Sequence, residues 1–385
     1  MDLFNHLRKH TLTNKNTLLI LLSVTAASIV VGCFILFYTL PYKKSKGSLS
    51  LVVVKTNTTL SNNIHLTITN KEITSTNSLQ IFKSNSQSNY PDINKSISRH
   101  PTNVAEIQIA LARLGLSPGP IDGVPGRQTT QAIKALEYKI KLSKYNSDTS
   151  SPLSHLTINN PIYVDYEVTP EDLKRLTKNG STWLEKAQQS RLDYESILEL
   201  VSEKAKSSKS FIVKLNPKIN WRNITPGTKL KIPYVPDPII TSKVSFIRIS
   251  LSNKTLEAFD AFTNLLVHFP CSIAAKPEKR PVGTLIVKSI IKNPYYVFDP
   301  DNFQESEEAQ YLADKINQLI LPPGPNNPVG LVWIALNKPG YGIHGSPEPE
   351  LIGKTESHGC FRLANWDACV LANIIEPGIV VIVEK

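Results

Sequence analysis

Twenty-three residues, Tyr341 to Leu363, hold two histidines, one cysteine, one arginine and four glycines: YGIHGSPEPELIGKTESHGCFRL. A thiolate nucleophile needs a nearby base or cation to lower its pKa. For Cys360 the two candidates are His344 and His358. Gly359 lets backbone approach a reacting carbonyl, and its N–H with that of Cys360 could form an oxyanion hole. Arg362 is a permanently charged planar fork suited to gripping a carboxylate at two points. Together these parts describe acyl transfer on a peptide that carries a carboxylate.

Other chemistries fit less well. His344, His358 and Cys360 could be three zinc ligands, but structural zinc sites want four, in tighter spacings. Papain-like and NlpC-type peptidases place the cysteine before the histidine, and here His344 comes first. A non-catalytic binding scaffold would rarely keep every one of these parts. No cofactor or metal is implied. The remaining cysteines are Cys33, Cys271 and Cys369, and no pair forms a CxxC. Four cysteines in 385 residues are not a disulfide scaffold. Cys271 and Cys369 read as buried apolar residues, with a bond between them left open. His268 reads as a strand residue rather than a ligand.

The elements that must position this stretch are mostly strands. Alternation and β-branched content predict them at 245–251, 256–259, 265–271, 283–290, 330–336 and 379–383. Helices are expected at 305–318 and 365–375, the second with Asn365 as its cap and Asp367 in its first turn. The expected architecture is a mainly β domain, a bent sheet or sandwich, over 242–385. The stretch from Asp299 to Pro328 interrupts it, as a lid or as a structural extension.

Two smaller units precede this domain. At 102–142, Val104, Ile107, Leu111 and Leu114 fall at helical spacing and Gly115 can close the helix. A Pro/Gly-rich loop and a second helix over 129–140 follow. At 161–236, YESILELV and SKSFIVKL have helical spacing, Asn216-Pro217 stops the second, and Lys229 to Ile232 alternates like a strand. Tyr163 to Val168 is the expected partner strand, with 171–189 as an insertion. Trp183 and Trp221 serve at least as core residues.

Residues 17–40 form 24 positions without a charge, long enough for a membrane span, which needs about 20. Val30-Val31-Gly32-Cys33 resembles a lipoprotein cleavage box, but the apolar run continues past it. An uncleaved anchor is expected, with residues 1–16 in the cytoplasm. Flanking cations tie, three on each side, so charge leaves the orientation open. Residues 41–101 are rich in Ser, Asn and Thr and read as a tether. The formal net charge is +11, yet the lysines are spread out, so no nucleic-acid partner is expected.

Specific resemblances sharpen this. IQIALARLGLSPGPIDGVPGRQTTQAIKALEYK looks like the type 1 peptidoglycan-binding domain, matching at Gln108, Leu111, Leu114, Gly115, Asp122, Gly123, Gly126, Thr129, Ala132 and Ile133. Leu136-Glu137 departs from its usual ending. NPKINWRNITPGTKLKIP resembles the second half of a LysM glycan-binding module. Finally, H-G-x(11)-S-H-G-C-x-R-L resembles the L,D-transpeptidase (YkuD-like) catalytic domain over about 242–385. That resemblance implies Cys360 as nucleophile, His344 as base and the Gly345 carbonyl as its orienter. His358, Ser357 and Gly359 would shape the oxyanion side. Arg362 would take the substrate carboxylate, with Trp333 and Tyr341 also at the substrate. Phe361 stands where a smaller aliphatic residue is common.

The implied reaction releases D-Ala from a tetrapeptide stem through an acyl-enzyme, then passes the stem to an amine, giving a 3-3 cross-link. Water as acceptor would make a carboxypeptidase; an envelope protein's amine would make an anchoring enzyme. The implied partners are peptidoglycan stem peptides and glycan. The implied place is the bacterial inner membrane, single-pass, with the catalytic domain in the periplasm. Oligomeric state is open.

Overall fold

The structure, a computed structural model, describes residues 98–143, 151–300, 306–315, 319–355, 357 and 359–385. The apolar run at 17–40, Cys33, residues 41–97 of the tether and His358 lie outside the described residues. Among the described residues, no helix is long and apolar enough to cross a membrane.

The first unit consists of β1 (Ser98–Arg99), α1 (Val104–Arg113), α2 (Arg127–Ser143) and β2 (Ile158–Asn159), with β1 and β2 paired antiparallel. Helix α1 starts because the Asn103 side chain accepts the Glu106 N–H at 3.0 Å. The loop between the helices is folded around Gln108. Its carbonyl accepts the Asp122 and Gly123 N–H groups at 3.1 and 2.8 Å, and its amide donates to Asp122 Oδ1 and Thr129 Oγ1. Gly123 is needed there twice over, by a φ of +71° and by the Phe211 ring, 3.2 Å from where a Cβ would stand. These motif residues build the loop. The unit begins four residues earlier than the sequence suggests, at Ser98, and includes the 152–159 segment, which carries too few apolar residues to announce itself.

The second unit is β3 (Tyr163–Glu167), α3 (Pro170–Lys174), α4 (Trp183–Gln188), α5 (Ile197–Lys204), α6 (Lys209–Leu215) and β4 (Lys229–Pro233). Strands β3 and β4 pair antiparallel, Tyr163 opposite Pro233. Leu200, Ile212 and Leu230 are fully buried in the core of this unit. Asn216 holds α6 to β4 by accepting the Lys231 N–H and donating to its carbonyl, at 2.7 and 2.8 Å.

The third unit carries β5 (Phe246–Ser250), β6 (Thr255–Phe259), β7 (Leu265–Pro270), β8 (Gly283–Lys292), β9 (Tyr296–Phe298), α7 (Glu307–Lys315), β10 (Leu319–Leu321), β11 (Val332–Leu336), β12 (Gly342–His344), β13 (Phe361–Arg362), α8 (Asn365–Ile374) and β14 (Val380–Glu384). Eight strands form one sheet in the order β13-β12-β11-β8-β14-β5-β6-β7. Two pairs, β12 with β13 and β14 with β5, are parallel; the other neighbours are antiparallel. Irregular register in β6 and β11 marks bulges that curl it. The core lies between the sheet and α8, with Ile247, Val267, Ile334, Ile343, Leu371 and Val381 fully buried. The expected mainly β architecture is what the chain forms.

Apolar packing crosses between units. Phe259 and Leu265 of the sheet belong to the same core as Ile109, Leu111 and Leu136 of the helical unit. Asp367 of α8 accepts a hydrogen bond from Ser117 Oγ at 2.9 Å, and full burial pushes its carboxyl up to about 7. The 299–328 insertion packs on the second unit: Leu192, Phe298, Leu312 and Leu321 share a small core with Trp183, whose ring stands 4.6 Å from that of Phe298. Leu192 donates to the Pro323 carbonyl and accepts from Asn326, both at 3.0 Å. The described parts of the insertion, 306–315 and 319–328, pack there as a structural extension.

One expected cap is corrected. The N-cap of α8 is Ala364, which offers no side-chain cap, and Asn365 is the first helical residue. Its side chain is fully buried and is used elsewhere.

Candidate active site

Strand register assembles the site. In the parallel pair β12–β13, His344 stands opposite Arg362 and Ile343 opposite Phe361. In the antiparallel pair β11–β12, Trp333 stands opposite His344. Residues in register on neighbouring strands share a face, and along a strand the face repeats every second residue. Trp333, His344, Arg362 and Cys360, just before β13, therefore share one face. Gly342 shares it too, and a Cβ there would lie 2.7 Å from the Trp333 ring. The glycine makes room for the indole beside the thiol.

His344 is buried, and its Nδ1 lies 2.6 Å from the Gly345 carbonyl. A carbonyl only accepts, so Nδ1 carries the proton and Nε2 is left with its lone pair free. Burial, together with the nearby Arg362 charge, pushes the imidazole down to about 3 despite the bond to Gly345. The Trp333 ring stacks on the imidazole at 5.6 Å. This tryptophan braces the histidine.

The Gly345 carbonyl is itself held in place. Gly345 donates to the Val332 carbonyl at 3.1 Å. Asn365 Oδ1 accepts the Leu331 N–H at 3.0 Å, and its amide donates to the Pro325 carbonyl at 3.1 Å. A Cβ on Gly345 would come within 2.2 Å of that Oδ1, and one on Gly330 within 2.0 Å. Both glycines are demanded by the buried amide between them.

Cys360 is half-buried, and its Sγ lies 3.4 Å from the Gly340 carbonyl. Burial pushes its thiol up, opposed by a backbone hydrogen bond from Gly342 and by the Arg362 charge. Ser357 is buried and clamps the nucleophile turn: its Oγ donates to the Cys360 carbonyl at 2.5 Å and accepts the Gly359 N–H at 3.3 Å. That engages the Gly359 N–H, one of the two expected oxyanion donors, within the turn. Tyr341 is half-buried beside Gly359, with Lys338 Nζ 4.3 Å above its ring.

Arg362 is the electrostatic centre. It forms no ion pair among the described residues, and its Nε is buried with no acceptor. Burial pushes its guanidinium down, against the pull of Cys360, Glu348 and Tyr296. Its backbone is fixed by Ser272, through bonds of 2.9 and 3.0 Å in both directions. The fully buried Ser272 Oγ also accepts the Gly353 N–H at 2.8 Å, tying down the loop between His344 and Cys360. Tyr296 of β9 feels both Cys360 and Arg362, and burial pushes its phenol up to about 12.

Cys360, His344, Gly345, Ser357, Gly359, Arg362, Trp333 and Tyr341 thus come together. Asn365, Ser272 and Tyr296 are additional. Asn365 had a visible signal, a polar residue two positions after Leu363, but it read as a cap. Ser272 and Tyr296 had none. Cys271 and Cys369 are free thiols, the first fully buried. His268 lies in β7 with its Nδ1 3.1 Å from Glu257 Oε1.

Residues 245–383 match the family described as "L,D-transpeptidase catalytic domain" and residues 100–143 the one described as "Putative peptidoglycan binding domain". A Bacillus licheniformis protein named "Putative L,D-transpeptidase YkuD" is 25% identical over 182 residues, 47% of this chain and 89% of the relative. A Bacillus subtilis protein named "Putative L,D-transpeptidase YqjB" is 38% identical over 152 residues, 38% of this chain and 70% of the relative. Among solved structures, an L,D-transpeptidase from Mycobacterium smegmatis aligns with a TM-score of 0.28 at 20% identity, covering 41% of this chain and 64% of that one.

Proposed function

The chain belongs to the L,D-transpeptidase family, and from that premise we propose a two-step reaction on peptidoglycan stems with Cys360 as nucleophile. In the first step His344 Nε2 takes the thiol proton as Sγ attacks the carbonyl before the terminal D-Ala. The tetrahedral oxyanion faces the Cys360 N–H, and the proton passes to the departing D-Ala amine. In the second, the amine of a neighbouring stem attacks the thioester, His344 takes its proton, and the thiol is regenerated with a 3-3 cross-link.

The observation that carries this reading is the half-buried Arg362, its Nε buried without an acceptor, on the same face as Cys360 and His344. A desolvated cation without a counterion is a waiting partner for a carboxylate, and the stem ends in one. The resting pair is neutral, thiol beside imidazole, so attack proceeds by general-base catalysis rather than from a preformed ion pair.

On the same reading, residues 161–236 form a LysM-like module, supported by two antiparallel strands that enclose α5 and α6, with the short helices α3 and α4 inserted ahead of them. Residues 17–40 anchor the chain in the inner membrane, with the catalytic domain in the periplasm.

The test is incubation with a disaccharide-tetrapeptide and mass spectrometry of the products. A cross-linked dimer with loss of D-Ala, absent from Cys360→Ala, is expected. Tripeptide alone would make water the acceptor. Full activity in Cys360→Ala would remove the cysteine from the mechanism.

A further inference from the structure

Asn365 holds the backbone behind His344, and its side chain has more bonding capacity than those contacts use. The side chain is fully buried. One oxygen lone pair takes the Leu331 N–H, and one N–H goes to the Pro325 carbonyl. A side-chain amide has two lone pairs and two N–H groups, so one of each remains. Buried polar groups are nearly always paired.

The group that faces this amide comes from the second unit. Helix α5 packs against α8 and brings the buried Glu203 carboxyl to the Asn365 side chain and the Tyr194 hydroxyl. A carboxylic acid has an O–H to give and a carbonyl oxygen to receive, which complements what Asn365 has left; a carboxylate could only accept. The surroundings favour the acid. Burial, with Glu199 on the same helix, pushes the carboxyl up to about 8, against the pull of Asn365, Tyr194 and Arg175. Arg175 is itself engaged by Asp193 at 2.8 Å. Cys369 faces Glu203 from α8. Glu348, Glu350 and Lys209 stand around the cleft of about 330 Å³ that Glu203 lines.

We propose that Glu203 is a positioning residue for the catalytic base: through Asn365 it fixes the Gly345 carbonyl that orients His344, so the second unit completes the support of the active site. The inference rests on the family reading for the role of His344. Each link is a close contact. Gly345 lies so near Asn365 Oδ1 that a Cβ would come within 2.2 Å of it, and an amide that turns must push that backbone. The Gly345 carbonyl would then lose its 2.6 Å approach to Nδ1, and the imidazole would be free to exchange tautomers. Glu203 itself acts at a distance from the thiol, on the far side of Asn365.

The experiment uses the full-length chain with disaccharide-tetrapeptide and compares Glu203→Gln, Glu203→Ala and Leu230→Ala. Glutamine keeps one donor and one acceptor and has no proton to lose. Leu230→Ala opens a cavity in the core of the same unit and controls for lost stability. At pH 7, Glu203→Ala should lower kcat about tenfold with KM within about twofold, since a small misplacement of a catalytic group is costly. Glu203→Gln should restore kcat to within about twofold, and Leu230→Ala should lower Tm while holding kcat. From pH 7 to pH 9 the kcat ratio of Glu203→Gln to wild type should climb about fivefold, because the wild-type acid ionises near pH 8 and the amide cannot. A flat ratio would overturn the inference, as would a glutamine variant as slow as alanine or an equal kcat loss in Leu230→Ala. If Glu203→Ala does not fold, the pH course of the ratio decides alone. Spectra of ¹⁵N-histidine-labelled protein read the tautomer of His344 without turnover. The Nδ1–H form should persist in Glu203→Gln and mix with the Nε2–H form in Glu203→Ala. If wild type turns over no substrate but the tautomer shifts in Glu203→Ala alone, the positioning inference stands and the transpeptidase reading falls. If wild type is active and neither kcat nor tautomer moves in Glu203→Ala, the family reading stands and the positioning inference falls.

Discussion

Replacing Arg362 by glutamine tests the proposed reaction where the geometry is most demanding. The backbone at this position pairs with Ser272 in both directions, so the side chain can change without loosening the strand. In the free protein the guanidinium is already desolvated and its Nε lacks an acceptor. A substrate carboxylate thus meets a preorganised cation, and binding need not strip water from it. A hydrogen bond to a charged group contributes about 1.5–3 kcal/mol. At about 1.36 kcal/mol per decade, kcat/KM should fall about 10- to 150-fold. The assay compares two donors, one with a free terminal carboxylate and one amidated there. Wild type should prefer the carboxylate by that factor, and Arg362→Gln should hardly distinguish them. A variant that loses the same factor on both donors would refute the assignment, because the arginine would then act on the protein and not on the substrate.

Three further outcomes are expected. Alkylation of Cys360 by iodoacetamide should rise with pH without an inflection between about pH 5 and 8: the His344 imidazole is pushed down to about 3 and the thiol is pushed up, so no ion pair forms. A reactive plateau at pH 5–7 would show the pair and sink the general-base route. Asn365→Ala should lower both thermal stability and kcat. It orphans the Leu331 N–H and the Pro325 carbonyl, at about 1–3 kcal/mol for each group left buried, and frees the backbone that orients His344. Unchanged kcat in a destabilised variant would confine Asn365 to folding. Asp367→Asn should flatten the fall in stability between about pH 4 and 7. The Asp367 carboxyl, facing Ser117, Lys206 and Asp237, is pushed up to about 7 by burial. The folded state therefore binds more protons than the unfolded one from about pH 4 to 7, and stability falls as pH rises through that window. Scanning calorimetry at pH 5 and pH 8 checks this; equal slopes for both proteins would refute it.

Much of the site was legible because its chemistry is local in sequence. His344, Ser357, Cys360 and Arg362 fall within 19 residues, and each type has few other uses in that spacing. The long strands were legible by alternation, and α1 and α2 by helical period. Strands β9, β10, β12 and β13 span two or three residues each, too few to show a period of two. Asn365 was misread for a physical reason: a polar residue before an apolar helix favours capping on local grounds. Here two glycines distant in sequence, Gly330 and Gly345, open a buried slot that the amide fills. The solitude of Arg362 could not be read at all, since an absent partner leaves no trace in composition. Trp333 was expected at the substrate, and its type did not reveal that it would lie against the His344 ring.

The insertion at 299–328 and the one at 171–189 were each ambiguous alone, and the structure gives them one joint role. A lid must open at low cost, so it needs few buried apolar contacts and few hydrogen bonds. These two segments share Trp183, Phe298, Leu312 and Leu321 in a common core, and the Trp183 N–H donates to Glu308 at 2.7 Å. Asn326 adds a bond to the Asp193 carbonyl at 3.0 Å and another to Glu199 at 2.7 Å. Strand β10 of the insertion pairs with β9, setting Leu321 opposite Tyr296, the phenol that feels Cys360 and Arg362. The second unit therefore reaches the site as a fixed wall, through Tyr296. A wall held this way leaves Arg362 desolvated before any substrate arrives, and the magnitude expected for Arg362→Gln depends on that.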